Sequence, residues 1–210
     1  MKSIKISLII SLSLICCLLK SQDSYVGVSS GLNISKFTSP ALNLTDYKMG
    51  YDFNLFYEKK IIEHFDLGIG FDYHNIGSKG GKITYINNSG NIVGEGEDTW
   101  SNTYLSLPIF IKPYIGNKVK GYIKAGFIFS YLLKSEYSSS VGLNNTNSGE
   151  GFNKTDIGNQ FAIGFDFPLG TNYYLGFETL TYLGYRYVDI NNILKNPYYL
   201  LSCTFKYKIK

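Results

Sequence analysis

Charged side chains recur at every second position along several segments, and they are the residues most able to carry chemistry. The set that we single out is Asp52, Asp72, Lys112, Lys124, Asp166, Glu178 and Arg186. Carboxylates that face lysines or arginines can form ion pairs, hold a charged ligand or line an ion pathway. Which of these three roles applies depends on the secondary structure that carries the residues.

The other candidate clusters are weaker. Glu95, Glu97 and Asp98 in "GEGED" could attract a divalent cation, but their spacing fits no calcium-loop pattern and a solvated loop is the better interpretation. The sequence contains no phosphate-binding loop, no metal-type spacing of histidines or cysteines and no nucleic-acid-binding module. We therefore predict no cofactor, no metal site and no nucleic-acid partner.

The segments themselves have the two-residue period of β-strands. Apolar and polar residues alternate, and the composition of 19 Tyr, 14 Phe and 22 Gly favours strands and turns. Eight strands are predicted, at 24–36, 47–59, 64–76, 99–115, 120–136, 156–168, 172–187 and 198–209.

The two rows of each strand indicate what the sheet faces. The apolar rows are bulky and almost unbroken, whereas the opposite rows carry charges and glycines, which suits a lipid-facing exterior and a narrow polar interior. Short connections alternate with long ones, which include about 77–98 and 137–155. The pattern predicts an all-β, eight-stranded, antiparallel, up-and-down transmembrane β-barrel with short periplasmic turns and longer extracellular loops.

The barrel gives the charged residues a structural role. Eight strands leave a lumen that side chains just fill, so the charged set should form an interior polar network, with Glu58, Asp66, Lys134 and Lys206 on the same rows. An open pore or a ligand-binding barrel remains the alternative. Tyrosines on the outer rows should form two bands at the lipid interfaces: Tyr57, Tyr173 and Tyr207 near the inner edge, and Tyr73, Tyr131, Tyr185 and Tyr199 near the outer edge.

Pro108 interrupts "LSLPIFIK", one of the most regular strands. Proline cannot donate a ladder hydrogen bond. We predict a strand bulge at Pro108, the alternative being a locally missing ladder bond.

The N-terminus has the pattern of a cleaved signal peptide, with Lys2 and Lys5 before an apolar run that is too short for a spanning helix. We assign residues 1–21 to the signal peptide and 22–210 to the barrel domain. Loss of Lys2, Lys5 and Lys20 lowers the net charge from +4 to about +1, so the basic balance does not indicate an anionic partner. Cys203 is then the one remaining cysteine.

At "YLSLPIFIKPYIGNKVKGYIKAGF" the sequence resembles the Bacteroidota outer-membrane β-barrel family called PorT-like, matching at Tyr104, Leu105, Pro108, Lys112, Ala125 and Gly126. The segment "VGVSSGLNISKF" resembles the first strand of that family. The resemblance implies an outer-membrane barrel, some relatives of which act in protein secretion.

An enzymatic role would need a different arrangement. His74 and Ser78 could serve in a membrane-lipid hydrolase, but His74 falls on the interior row, and His64 has no obvious partner. We predict a non-enzymatic, monomeric outer-membrane protein in contact with lipid. Its role is structural or accessory, with an outer-membrane protein complex as the candidate partner. A small channel, and then a lipid-modifying enzyme, are the alternatives.

Overall fold

The computed structural model describes residues 23–38, 46–87, 89–139, 151–186, 188–189 and 194–209. The predicted signal peptide at 1–21, and most of the predicted loop at 137–155, lie outside these residues. Among the described residues, no helix is long and apolar enough to cross a membrane.

Eight strands close into a barrel, each hydrogen-bonded antiparallel to its sequence neighbours, with β1 and β8 completing the ring. The strands are β1 Ser24–Ser35, β2 Asp46–Ile62, β3 Phe65–Ile86, β4 Ile92–Ile115, β5 Lys120–Ser139, β6 Thr155–Pro168, β7 Tyr173–Gly184 and β8 Tyr198–Ile209. The predicted fold class is confirmed.

The barrel is apolar outside and polar inside. Leu32, Phe71 and Leu201 each expose 60% or more of their surface, whereas Asp52 and Asp166 each expose 1%. Because successive side chains of a strand point to opposite faces, the alternation in sequence places every bulky apolar row on the exterior. Such an exterior is stable in contact with lipid and not with water.

Among the described residues, β3 and β4 stay paired with each other beyond the end of their pairing with β2 and β5, at the place where a loop was predicted. The pairing of β3 with β2 ends at Lys79, and that of β4 with β5 ends at Asp98, but β3 and β4 stay paired as far as Ile86 and Ile92. The prediction of a long loop at about 77–98 is therefore wrong, because these glycine-rich segments pair with each other. We call residues 80–97 the ribbon.

Pro108 does not lie at a bulge. It pairs with Ile128 of β5 without a register shift. On the β3 side, pairing is interrupted between Ile69–Ile109 and Asp72–Ser106, and the register is the same on both sides of the gap. The predicted bulge is wrong, and the alternative of a locally missing ladder pair agrees with the structure, since proline has no N–H to donate.

A register shift does occur between Thr103 and Tyr104, opposite Lys134 and Leu132 of β5. An extra residue in one strand reverses the facing of the residues that follow it. Lys134, predicted on the interior row, is accordingly exposed and paired with Glu136.

Candidate functional site: the barrel interior

Four charged residues form a closed ring near the end of the barrel with the short turns. Lys112 Nζ lies 3.0 Å from Glu58 Oε1 and 3.0 Å from Asp166 Oδ2. Lys206 Nζ lies 3.2 Å from Glu58 Oε2 and also contacts Asp166. The four side chains come from β4, β2, β6 and β8, and all are buried. Two positive and two negative groups therefore neutralise one another across the lumen.

A second ion pair lies next to this ring. Lys124 of β5 contacts Glu178 of β7, and Tyr122 Oη donates a hydrogen bond to Glu178 Oε2 at 3.1 Å. Lys112 Nζ lies 3.8 Å from the centroid of the Tyr122 ring, a cation–π contact that joins the two groups. The interior charges thus form one connected network.

Glycines on the neighbouring strands leave room for these side chains. A Cβ at Gly27 would lie 2.9 Å from Cγ of Lys206 and 2.4 Å from Cζ of Phe56. A Cβ at Gly164 would lie 2.5 Å from the hydroxyl oxygen of Tyr122. Phe56, Lys206 and Tyr122 are register partners of these glycines on neighbouring strands, so their packing depends on glycine at both positions.

The network nearly fills the lumen. The cavity beside it, lined by residues that include Asp52, Lys124 and Glu178, holds about 30 Å³. This volume fits about two water molecules. The described side chains beside the network therefore leave little space for water at this level.

Six of the seven predicted network residues are buried inside the barrel: Asp52, Asp72, Lys112, Lys124, Asp166 and Glu178. Arg186 is not. It lies two residues beyond the end of β7 and its side chain is exposed. Its assignment to the interior is wrong because the predicted strand ran to 187, whereas regular pairing stops at Gly184.

The outer half of the lumen contains an aromatic cluster that the sequence analysis did not predict. Tyr104, Tyr182 and Tyr198 each expose 1% of their surface, and the Tyr182 and Tyr198 rings lie 5.0 Å apart. Tyr182 Oη donates to Asp156 Oδ2 at 2.9 Å. The available signal was the position of all three tyrosines on the rows that also carry the interior polar residues.

The predicted interface tyrosines are all on the exterior, with between 39% and 56% of their surface exposed. Tyr57 and Tyr207 both pair with Val26, and Tyr173 pairs with Tyr207, so these three form one level. Tyr73 and Tyr131 both pair with Leu105 at a level nearer the ribbon. Tyr185 and Tyr199 also lie toward that end of the barrel. Their role at a lipid interface stays a prediction.

The structure does not bring together the residues that a membrane-lipid hydrolase would need. His74 is buried inside the barrel, with Nδ1 3.1 Å from Asp72 Oδ2. Ser78 Oγ donates to the carbonyl oxygen of Asp46 at 3.3 Å. His64 lies in the β2–β3 turn with φ of 63°, and its ring packs on Tyr114. These contacts do not form a nucleophile–base pair at the lipid-facing surface.

The acidic residues of "GEGED" lie in β4 and not in a loop. Glu95 pairs with Thr84 and Glu97 with Lys82. Asp98 is buried at the base of the ribbon, whereas Glu95 and Glu97 are exposed. Their interpretation as part of a solvated loop is wrong in structure, because Glu95 and Glu97 belong to the ribbon and Asp98 pairs with β5 at its base.

Solved structures similar to this chain are outer-membrane proteins. OprG from Pseudomonas aeruginosa is 11% identical over 90% of this chain and 97% of its own, with a TM-score of 0.50. Neisserial surface protein A is 15% identical over 89% of this chain and 97% of its own, with a TM-score of 0.49. At these identities the likeness concerns the fold alone. No curated protein sequence matches this chain.

The family comparison identifies the kind of protein. The model of the outer membrane protein beta-barrel domain matches residues 20–182, which include strands β1 to β6 and most of β7. Together with the closed antiparallel ring and the apolar exterior, this match identifies an outer-membrane barrel. The chain belongs to the outer membrane protein beta-barrel domain family.

Proposed function

We propose that this protein is a monomeric, non-enzymatic outer-membrane barrel that presents the ribbon at the cell surface to a protein partner. Its role would be that of an accessory subunit in a surface or secretion assembly. The observation that carries the proposal is the extension of β3 and β4 beyond their neighbours, because a membrane span alone needs no such extension. The resemblance to PorT-like barrels supports the choice of a secretion assembly.

The tip of the ribbon is a hydrogen-bonded turn with two exposed isoleucines next to it. Asn87 Oδ1 accepts hydrogen bonds from the backbone N–H groups of Ser89 and Asn91, at 3.0 and 2.9 Å. Gly90 supplies the positive φ of 80° that the turn requires. Just below the turn, Ile86 and Ile92 pair and expose 61% and 67% of their surface. The two adjacent isoleucines form a small exposed apolar patch beside the turn, and a partner protein could cover it.

The interior supports a role that does not involve transport. The charged network leaves room for about two water molecules, and each buried lysine named above is paired with a carboxylate. The proposal therefore assigns the barrel to anchoring and the ribbon to recognition.

The test is extraction of the tagged protein from native outer membranes in mild detergent, followed by the mass of the particle and identification of co-purifying proteins. We expect a particle larger than one barrel, with a partner in fixed ratio. The double variant Ile86→Ser and Ile92→Ser should lose that partner and keep the barrel.

The matched control is Ile115→Ser. Ile115 is also an exposed isoleucine, 78% exposed, but lies at the opposite end of the barrel. It should leave the particle unchanged. A lone barrel in the wild type, or a partner that the ribbon variant retains, would contradict the proposal.

A further inference from the structure

Three buried side chains in the barrel interior have the composition and spacing of a metal site. Asp72 and His74 are two residues apart on the same face of β3, and Asp52 of β2 is the register partner of His74. One carboxylate oxygen from each aspartate and one ring nitrogen of His74 all lie within 4.8 Å of one another. The three residues expose between 1% and 3% of their surface. We call Asp52, Asp72 and His74 the DDH cluster.

The distances within the cluster suit one ion. Nδ1 of His74 lies 3.1 Å from Oδ2 of Asp72. Two ligands that bind the same ion at about 2.1 Å lie about 3.0–3.4 Å apart in octahedral or tetrahedral geometry. That contact therefore already has the separation of two neighbouring ligands. The oxygen of Asp52 would need only a side-chain adjustment to complete the set.

Among the described residues, no lysine or arginine forms an ion pair with Asp52 or Asp72. Lys124 and Glu178 act on Asp52 with opposite signs, and Lys124 is already in contact with Glu178. The four-residue ring of Glu58, Lys112, Asp166 and Lys206 is neutral on its own. A divalent ion would supply a positive charge beside the two buried carboxyl groups, and buried charges in proteins are paired or bind metals.

The oxygen atoms provide a second, independent observation. Oδ2 of Asp52 and Oδ1 of Asp72 are buried and have no hydrogen-bond partner among the described residues. Both aspartates line the cavity of about 30 Å³, which has room for about two water molecules. Those waters could complete the coordination of an ion that takes three ligands from the protein.

The donor set selects the class of ion. Imidazole and carboxylate together suit zinc and the neighbouring first-row divalent ions, whereas calcium and magnesium prefer oxygen ligands alone. We propose that the DDH cluster binds one divalent transition-metal ion of the zinc type inside the barrel. The His74 ring is held for this role between Tyr104 and Tyr198, whose centroids lie 5.7 and 5.3 Å away. This inference does not depend on the role of the ribbon.

The test uses the full barrel, refolded from urea into detergent in metal-free buffer. The protein is incubated with ZnCl₂ and desalted, and its zinc content is measured by elemental analysis. We expect one zinc ion per chain. X-ray absorption at the zinc edge of the same wild-type sample should show one nitrogen ligand together with oxygen ligands.

Conservative variants identify the site. Asp52→Asn and His74→Gln should each weaken zinc binding by at least about tenfold. Loss of a residue that only hydrogen-bonds a metal ligand already weakens metal binding by about tenfold or more, and these variants change the ligands themselves. The control is Asp156→Asn, which changes another buried aspartate that is hydrogen-bonded to Tyr182, and it should bind zinc as the wild type does. Heat-modifiable gel migration confirms that each variant is folded.

Three results would overturn the proposal. The first is that the wild-type protein retains no stoichiometric zinc. The second is that its absorption spectrum shows oxygen ligands only. The third is that both folded DDH variants bind zinc with unchanged affinity. The first two are measured on the wild type, so the proposal stays testable even where a variant does not fold.

Discussion

Lys112 is the residue whose removal should most disturb the barrel interior. Its ammonium contacts Glu58 and Asp166 at 3.0 Å, and all three side chains are buried. In Lys112→Met the side chain still fills most of the space, but Lys206 becomes the one remaining cation of the four-residue ring. Loss of one partner from a buried ion pair costs about 3–5 kcal/mol, because an uncompensated charge stays buried.

The assay is equilibrium unfolding by urea in lipid vesicles, followed by the fluorescence of Trp100, the chain's one tryptophan. With a slope of about 1–3 kcal/mol/M, a loss of 3 kcal/mol lowers the unfolding midpoint by at least about 1 M. Adding Glu58→Gln to Lys112→Met removes one of the uncompensated charges and should recover part of the loss. That recovery separates an electrostatic cause from a packing defect.

Lys134→Met is the matched control. Lys134 also pairs with a glutamate, but its side chain is 55% exposed. Exposed ion pairs contribute less than about 1 kcal/mol, so the midpoint should barely move. If Lys112→Met and Lys134→Met had equal, small effects, the interior network would not be the stabilising element that the distances indicate.

Three further outcomes are expected. Purified protein in planar lipid bilayers should show no stepwise conductance, because the cavity beside the network holds only about 30 Å³; steady single-channel steps would contradict a filled lumen. Gly27→Val should abolish heat-modifiable folding, since its Cβ would lie 2.4 Å from Cζ of Phe56, whereas Gly170→Ala, which meets open space, should fold normally. Cys203, exposed on the outward row of β8, should react with a water-soluble maleimide in urea but not in vesicles; equal labelling in both would mean that this row does not face lipid.

The alternation of residue types was sufficient to predict the barrel. Each strand needs only its own sequence to set which row is apolar, and the apolar row must face lipid. For this reason the sequence alone places Asp52, Asp166 and Glu178 on the interior. The predictions from the sequence are wrong where strand pairing overrides local composition. The segments "GSKGG" and "GEGED" have the composition of loops but lie in the paired strands β3 and β4. A register shift near Leu132 turns Lys134 outward.

The partners within the interior could not be predicted from the sequence. Lys112 and Glu58 are 54 residues apart, and Lys206 and Glu58 are 148 residues apart. Which residues meet across the lumen depends on the stagger of the strands around the barrel, and a single strand carries no information on that stagger. The DDH cluster was missed for the same reason, since Asp52 meets His74 only through the pairing of β2 with β3.

The arrangement of the barrel in the membrane is tested most directly by labelling single cysteines on intact cells, in a Cys203→Ser background. Ser89→Cys at the exposed tip of the ribbon and Lys118→Cys in an exposed short turn lie at opposite ends of the barrel. We predict that a membrane-impermeant maleimide labels Ser89→Cys on intact cells and labels Lys118→Cys only after the outer membrane is permeabilised. Labelling of Lys118→Cys on intact cells, with Ser89→Cys protected, would contradict the presentation of the ribbon at the cell surface.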